Sequence, residues 1–380
     1  MSTLKVGAVR GVSASSDAIT VANDGSCTAN ITNNLSNRNM IINGAMQVAQ
    51  RGDKTGVTNH YGGCDRFKFL RDGASAVTLK QGGSGVAIPS EGFSACQHVD
   101  VTTADTSMGG TNYNILTTRM EGRNLQRIKK GTANALTVTV SFYIKSTITG
   151  TYILELTDND NSRSCSKAYT VSSSNTWEKK EITFPADTTG AFSNDNNLSM
   201  EINWWLGAGP TYSSGTLQDT WATQVNANRA VGQVNAVSST SNNIYLTGVQ
   251  MEVGSIATDF EHRTASDDIM ACQRYFQKSS GGSDVFLFAG KGQGSSSCDV
   301  GIPLSTPMRG TPTMVCSVNR FFSTSTGSFS SSSTNPSVVQ YQQGVDSFML
   351  AMNCSGHTSS NNAVGNWSPS SSAFEIDAEL

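Results

Sequence analysis

The chain carries little charge and almost no histidine. Over 380 residues, Asp, Glu, Lys and Arg make up 14% of the sequence, whereas an average soluble domain carries about 25%. Lys and Arg number 26 against 29 Asp and Glu, so the formal net charge is −3. The chain therefore lacks the basic excess typical of a free-standing nucleic-acid binder. With only 4 His, a metal site or a His-based active site is disfavoured, and we expect no cofactor.

Long apolar runs and paired cysteines are missing as well. No stretch reaches the roughly 18 apolar residues of a membrane span, and residues 1–21 lack the apolar core of a secretory signal. The cysteines form no CxxC pair, which argues against zinc. We expect them to be reduced and mostly buried in a protein made in a cytosol. They are Cys27, Cys64, Cys96, Cys165, Cys272, Cys298, Cys316 and Cys354.

Ser, Thr, Asn and Gly take the place of the missing charge. Gly alone accounts for 36 residues, and this composition is typical of short strands joined by turns. Alternating apolar residues predict one β-sandwich over residues 39–263, with one face of each strand buried. Its clearest strands are Leu136–Ile144, Thr151–Leu156, Glu181–Phe184, Leu198–Trp204 and Asn243–Val249.

The two flanking regions have different patterns. Residues 1–38 contain only short apolar runs and cannot bury enough surface to fold alone, so they need a partner chain, most simply further copies of themselves. Residues 264–278 predict a helix, with Thr264 or Ser266 as N-cap, Ile269, Cys272 and Phe276 on its buried stripe, and Lys278 and Gly281 closing it. Residues 284–380 return to strands at Val285–Phe288, Thr313–Asn319 and Ser347–Asn353. The Ser/Thr/Gly-rich stretch 323–337 is interpreted as a long exposed loop or a flexible segment.

Several short motifs resemble those of tail-fibre and minor virion proteins of tailed bacteriophages. The stretch 39–52, with its Asn-Gly and Gln-Arg-Gly elements, resembles the opening of that family, and 61–67 is similar to its Tyr-x-x-x-Asp-Arg-aromatic motif. The most specific piece is 246–263, which reads LTGVQMEVG and then ATDFEHR around a short spacer, followed by CQRYF at 272–276. The resemblance covers about residues 39–380 and breaks off in the N-terminal segment.

The resemblance implies a non-catalytic virion component. It implies a homotrimer attached to other tail or virion proteins through residues 1–38, a jelly-roll sandwich over 39–263 like those of carbohydrate-binding modules, and a distal β-domain over 264–380. Such a protein would sit on the virion tail, mediate host attachment and recognise host surface polysaccharide. Two alternatives stay open: a capsid decoration or head-fibre protein, and a tailspike enzyme that degrades polysaccharide.

Candidate glycan-binding residues are aromatic. Trp204 and Trp205 are adjacent in a predicted strand and point to opposite faces, so one can be core and the other surface. Trp205, Tyr212 and Trp221 are the predicted glycan-binding residues, because the polar stretch 207–240 is the best candidate for a binding loop. Trp177 is expected in the core, and Trp367 stays undecided.

Three further patterns favour a structural interpretation. Asp158 and Asp160 resemble the start of a calcium loop, but Arg163 stands where that loop needs Gly, so a plain turn is favoured. The Arg-Gly-Asp triplet at 51–53 is interpreted as part of a turn. A basic cluster is interpreted as a solvated face that could also contact phosphate or acidic sugar; it comprises Arg119, Arg123, Arg127, Lys129 and Lys130.

Overall fold

Strands dominate the structure, which is a computed structural model. It describes residues 6–12, 17–21, 27–29, 36–83, 86–278, 285–293, 297–316, 320–324, 329–331, 337–353, 362–367 and 374–380. Several antiparallel sheets fill these ranges, which confirms the predicted all-β class. Within the same ranges, no helix has the length and apolar character needed to cross a membrane.

The elements are numbered in chain order. The first sixteen strands are β1 Ala8–Val9, β2 Ile19–Val21, β3 Cys27–Ala29, β4 Lys54–Val57, β5 Asn59–Gly62, β6 Cys64–Asp72, β7 Ala76–Gly82, β8 Cys96–Thr103, β9 Tyr113–Glu121, β10 Val138–Ser146, β11 Gly150–Asp158, β12 Arg163–Val171, β13 Glu178–Phe184, β14 Leu198–Ala208, β15 Ala222–Thr223 and β16 Asn243–Val253. The others are β17 Phe276–Lys278, β18 Val285–Gln293, β19 Ser297–Pro303, β20 Thr313–Cys316, β21 Arg320–Thr324, β22 Phe329–Ser331, β23 Ser337–Gln343, β24 Ser347–Asn353, β25 Asn362–Trp367 and β26 Phe374–Asp377. The helices are α1 Pro210–Ser213 and α2 Ala265–Gln273, with short 3-10 helices at Gly122–Ile128 and Asn226–Asn228.

Two antiparallel sheets pack face to face as a β-sandwich. One sheet has six strands in the order β13-β10-β16-β8-β7-β4, and the other has seven in the order β15-β12-β11-β14-β9-β6-β5. Alternate residues enter the shared core, for example Ile202 and Trp204 from β14 and Val140 and Phe142 from β10. The rings of Phe142 and Trp204 meet edge to face across the sheets, with centroids 5.7 Å apart.

The strands predicted from alternation are present, with small changes at their ends. β10 begins at Val138 rather than Leu136. β14 and β16 extend beyond their predicted ends, to Ala208 and Val253. Alternation located these strands because one face of each is apolar and faces the core. The domain boundaries near residues 38 and 263 stay predictions.

The predicted helix over 264–278 is too long. Thr264 is the N-cap and accepts a hydrogen bond from the Asp267 N–H, whereas Ser266 lies inside the helix. The helix ends at Gln273, and Phe276 and Lys278 belong to β17, which pairs with β26. Ile269 is 42% exposed rather than part of a buried stripe, whereas Cys272 is buried. Gly281 lies outside the described residues.

The N-terminal strands form a small sheet of their own. β1, β2 and β3 pair in that order, and Val9 and Ile19 are cross-strand partners. The exposed fractions of Val9, Ile19 and Val21 are 49%, 38% and 37%. Val9, Ile19 and Val21 therefore bury little surface within the chain.

The C-terminal region forms two further sheets. One joins β17-β26-β20, and the other has the order β22-β21-β25-β18-β19-β24-β23. The stretch 323–337, expected to be irregular, contains the end of β21, all of β22 and the start of β23. Residues 317–319, 325–328 and 332–336 lie outside the described part, as does the side chain of Trp367.

Candidate functional site

The stretch 39–52 closes one end of the sandwich. Gly44 lies so close to β16 that a Cβ at this position would sit 2.1 Å from the carbonyl oxygen of Val249. Asn43 has a φ of 60°, and its Nδ2 donates to the carbonyl oxygen of Val48 at 2.8 Å. This Asn-Gly pair is therefore a structural joint between the start of the sandwich and its last strand, and it presents no binding face.

Two arginines, one from the motif at 39–52 and one from the motif at 61–67, join the sandwich to the end of the chain. Arg51, 10% exposed, pairs with Asp377 at 2.9 Å and Glu379 at 3.2 Å. Its guanidinium lies 3.6 Å from the Phe276 ring centroid. Arg66 is buried, pairs with Glu379 and lies beneath Tyr275. Because Arg51 is held in these contacts, the Arg-Gly-Asp triplet does not present it to solvent.

The basic cluster predicted as one solvated face is divided by the fold, which corrects that interpretation. Lys130 is buried, and its Nζ lies 2.6 Å from Asp158 and 2.9 Å from Asp187. Arg119 pairs with Glu201 at 2.7 Å on the seven-stranded sheet. The remaining members of the cluster are exposed at the 3-10 helix or just after it: Arg123, Arg127 and Lys129.

The Asp-Asn-Asp-Asn stretch is a hairpin turn whose carboxylates bind protein groups. Asp158 accepts hydrogen bonds from Lys130 and from the Asn161 N–H, the latter at 3.0 Å, and Asp160 accepts one from the Ser193 N–H at 2.9 Å. Burial raises the pKa of the neighbouring Asp187, but its bonds from Arg163 and Lys130 outweigh burial, so the net shift is downward. No cluster of metal-ligating side chains occurs within the described residues.

The three predicted glycan-binding aromatics do not form one site. Trp205 is fully buried under residues 209–235, where Tyr212, Leu217 and Ala230 cover it. This corrects its placement on the surface, because the strand pattern could not show that a distant loop folds over that face. Tyr212 is partly exposed and lies 5.5 Å from Trp205, measured between ring centroids.

Two other tryptophans pack against loops. Trp221 lies apart from Tyr212, against the main core, and its Nε1 donates to the carbonyl oxygen of Pro185 at 2.9 Å. Trp177 was expected in the core but is only half-buried. It precedes β13, and its indole N–H donates to the carbonyl oxygen of Ala87 at 2.6 Å. Both indoles therefore fasten loops to the sandwich.

The outer face of the seven-stranded sheet carries a polar row that crosses six strands. Paired residues on neighbouring strands point to the same side, so strand register defines the row. From β12 to β5 the polar row consists of Ser166, Glu155, Asn203, Thr117, Lys68 and Tyr61. A second row next to it is apolar and consists of Ala168, Ile153, Trp205, Ile115 and Leu70.

Three atoms of the polar row have no hydrogen-bond partner among the described residues. They are Ser166 Oγ, Asn203 Oδ1 and Thr117 Oγ1, and all three side chains are buried. A buried polar atom costs about 1–3 kcal/mol when neither protein, water nor ligand gives it a hydrogen bond. These atoms are neutral donors or acceptors, the type that hydrogen-bonds to hydroxyl groups.

A buried ion pair organises the covered half of this face. Glu155 is fully buried and accepts two bonds from Arg229, at 2.7 and 2.9 Å, and one from Trp205 Nε1 at 3.1 Å. The Arg229 guanidinium lies 5.2 Å from the Trp205 ring centroid and 5.8 Å from that of Tyr212. The pair fixes the loop over β11 and β14, while Lys68, Leu70 and the Tyr113 ring remain partly exposed on β6 and β9.

A groove opens at the far end of the polar row. It has a volume of about 400 Å³ and lies between the sandwich and the C-terminal strands. We call it the C-terminal groove. It is lined by Lys54, His60, Tyr61 and Lys68 of the sandwich and by Glu375 and Asp377 of the C-terminal strands, among others. Burial raises the pKa of Tyr61, while burial and the charge of Arg119 lower the pKa of Lys68.

Sequence reasoning missed both the polar row and the C-terminal groove. β9 alternates inward Leu116 and Met120 with outward Thr117 and Arg119, so the polar outer positions were visible in the sequence. Which strands lie side by side, and in which register, was not visible. The groove depends on β26, which is about 300 residues from β5 along the chain.

Comparisons with known proteins found similarity in structure alone. No family model matches the chain, and no curated protein matches it. Among solved structures, the chain resembles the enzymatically active domain of tailspike protein 4 from bacteriophage CBA120, at 13% identity and a TM-score of 0.30. That match covers 57% of this chain and 21% of the tailspike chain, so this chain spans about a fifth of that neighbour.

Two sugar-binding proteins give similar values. One is a putative sugar-binding protein from Bacteroides thetaiotaomicron, with 11% identity, a TM-score of 0.30, and coverage of 57% of this chain and 100% of that one. The other is a family 11 carbohydrate-binding module of a Clostridium thermocellum cellulase, with 13% identity, a TM-score of 0.27, and coverage of 56% and 98%. These scores are too low to transfer a function, and the fold class rests on the sheets of this chain.

Proposed function

We propose that this protein is a non-catalytic glycan-binding component of a virion, most simply a homotrimeric tail fibre or tail-associated protein. The outer face of the seven-stranded sheet contacts the host surface polysaccharide, and the N-terminal sheet attaches the chain to its own copies and to other virion proteins. The motif resemblance to tail-fibre and minor virion proteins supports the virion assignment.

The open part of the outer face carries the glycan-binding part of the proposal. A saccharide presents hydroxyl groups on its edges and C–H groups on its faces, so its binding surface combines hydrogen-bonding atoms with apolar or aromatic surface. Where the loop leaves the sheet open, the outer face offers Lys68 from the polar row and Leu70 from the next row, both partly exposed. Tyr113 and Tyr212 meet edge to face at the end of the sheet, with centroids 5.7 Å apart.

The exposed N-terminal sheet supports the assembly part. Val9, Ile19 and Val21 are partly exposed on a sheet of only three short strands, which is too small to be stable by itself. Association with further copies would bury these side chains. Three copies would also present three outer faces, so that weak single contacts become strong through a high effective concentration.

Substitution of Tyr113 by Leu tests the glycan-binding surface. Tyr113 is partly exposed at the start of β9, so we expect the change to lower the free energy of unfolding by no more than about 1 kcal/mol. Affinity for host surface polysaccharide, measured by isothermal titration calorimetry, should fall about threefold to tenfold, because the aromatic face that packs against the C–H groups of a sugar is lost.

Tyr245→Leu is the matched control. Tyr245 is partly exposed on the six-stranded sheet, so this variant should bind like the wild type. Equal affinity of the wild type and Tyr113→Leu would contradict the proposed surface. Release of new reducing ends from the polysaccharide, abolished by one Asp or Glu substitution, would contradict the non-catalytic assignment.

A further inference from the structure

We infer that the C-terminal groove binds an anionic group carried on a sugar, a carboxylate or a phosphate, and so directs the protein toward acidic polysaccharides. This inference rests on the proposed function, because it names the class of glycan that the same face takes. It is carried by the charges that line the groove, by the position of Lys68 and by the size of the groove.

The acidic side chains of the groove are already paired. Asp377 and Glu379 both bind Arg51, and Glu379 also binds Arg66. Glu375 lies 3.3 Å from the ammonium group of Lys278. Each acidic side chain on this wall therefore has a basic partner beside it.

Two lysines on the opposite wall have no such partner. Within the part of the chain that the structure describes, neither Lys54 nor Lys68 forms an ion pair. Lys54 is exposed beside Gly62, and Lys68 is half-buried on the outer face. The groove thus carries two unpaired positive charges, which an anionic ligand would neutralise.

Lys68 is held where such a ligand would meet the polar row. Its ammonium group lies 5.2 Å from the Tyr61 ring centroid, and Arg51 packs over the same ring at 5.0 Å. Tyr61 also donates from its hydroxyl to the carbonyl oxygen of Leu380 at 3.1 Å, which fixes the ring. Burial and the charge of Arg119 lower the pKa of Lys68, so a bound anion would relieve an unfavourable environment.

The size and continuity of the groove fit one end of a saccharide chain. Its volume of about 400 Å³ lies within the range of small-ligand sites, about 300–1,000 Å³. Lys68 belongs both to the groove and to the polar row, where it pairs in register with Thr117. A chain with an acidic unit in the groove could therefore continue over the partly exposed Leu70 and Tyr113 on the same face.

Monosaccharides with and without a negative charge test whether the groove prefers an anion. Binding of the full chain is measured by ligand-observed NMR for galacturonate against galactose and for glucose 6-phosphate against glucose. At least one acid should bind about tenfold more tightly than its neutral counterpart, because the acid adds a charge-assisted hydrogen bond to a lysine. The two pairs show whether carboxylate or phosphate is preferred.

Lys68→Met and Lys54→Met remove the charges while retaining the apolar stems. Each should weaken binding of the preferred acid about tenfold. Lys54→Met should leave the neutral sugars unchanged, because Lys54 lies outside the polar row. Lys179→Met is the matched control, because Lys179 is exposed on the six-stranded sheet and pairs with Glu181. Unchanged melting temperatures show that the variants fold.

Two results would overturn the inference. The groove is not an anion site if acids and neutral sugars bind equally well, or if neither lysine variant weakens binding of the acid. The proposed function would stand in both cases. Absence of binding by all four sugars, together with absence of binding to host polysaccharide, removes both.

Discussion

At the scale of single residues, the family-like motifs are structural. Asn43 and Gly44 join the first residues of the sandwich to β16, and Arg51 and Arg66 hold the end of the chain. These residues belong to the short motifs at 39–52 and 61–67, yet none of them is part of the polar row. They serve the fold and say little about a ligand.

Gly44→Ala tests this structural role. A Cβ would lie 2.1 Å from the backbone oxygen of Val249, and backbone cannot move aside as a flexible side chain can. We expect a loss of roughly 3 kcal/mol in the free energy of unfolding, measured by urea denaturation. In Gly301→Ala, the control, the new Cβ would meet no atom within 4 Å, so its stability should stay within about 0.5 kcal/mol of the wild type. Equal stability of the two variants would contradict the joint at Gly44.

The sequence predicted correctly that the two adjacent tryptophans point to opposite faces, but it did not show that a loop covers one of them. Trp204 and Trp205 do point to opposite faces of β14, as adjacent strand residues must. The alternation could not show that residues 209–235 fold back over Trp205, because that cover depends on a contact between Glu155 and Arg229. Cys64, Cys96, Cys165 and Cys272 are free and buried, as the sequence indicated.

At the scale of elements, strands were easier to predict than the helix. Sandwich strands carry a period-two pattern because they have one buried and one outer face. Helix α2 is short, and its end is set by tertiary contacts: Arg274 leaves the helix to form two bonds of 2.9 Å with Glu121, and Phe276 starts β17. The helical spacing of apolar residues continues beyond Gln273, so the predicted helix was too long. The contacts that end the helix are made by distant residues and are not visible in the local sequence.

The N-terminal sheet gives the prediction at this scale. Val9 and Ile19 are cross-strand partners, and both are exposed within the single chain. The double variant Val9→Asp and Ile19→Asp places like charges opposite each other and removes apolar surface from the expected interface. We expect the wild type to sediment as a trimer at micromolar concentration and the double variant as a monomer with an unchanged melting temperature.

Val345→Asp is the control for this experiment. Val345 is 42% exposed but lies in the C-terminal region, so its replacement should leave the trimer intact. A wild-type chain that sediments as a monomer, or a double variant that stays trimeric, would contradict assembly through the N-terminal sheet.

At the scale of the whole molecule, the two faces of the sandwich sheets have different roles. The inner faces form one apolar core, while the outer face of the seven-stranded sheet collects the polar row, the Tyr113–Tyr212 pair and the C-terminal groove. Sequence composition predicted a polar, weakly charged β-protein. It could not place the proposed binding surface, because that surface combines residues that are far apart in the sequence, such as Lys68 and Asp377.

Hydroxyl-radical footprinting with bound oligosaccharide from the host surface tests the central claim most directly, because it reports the solvent access of individual side chains. Tyr212 and Tyr113 lie at the proposed surface, whereas Tyr245 is partly exposed on the opposite, six-stranded sheet. We expect the ligand to reduce oxidation of Tyr212 and Tyr113 at least twofold and to leave Tyr245 unchanged. Protection of Tyr245 with Tyr212 and Tyr113 unchanged would contradict a glycan site on the outer face of the seven-stranded sheet.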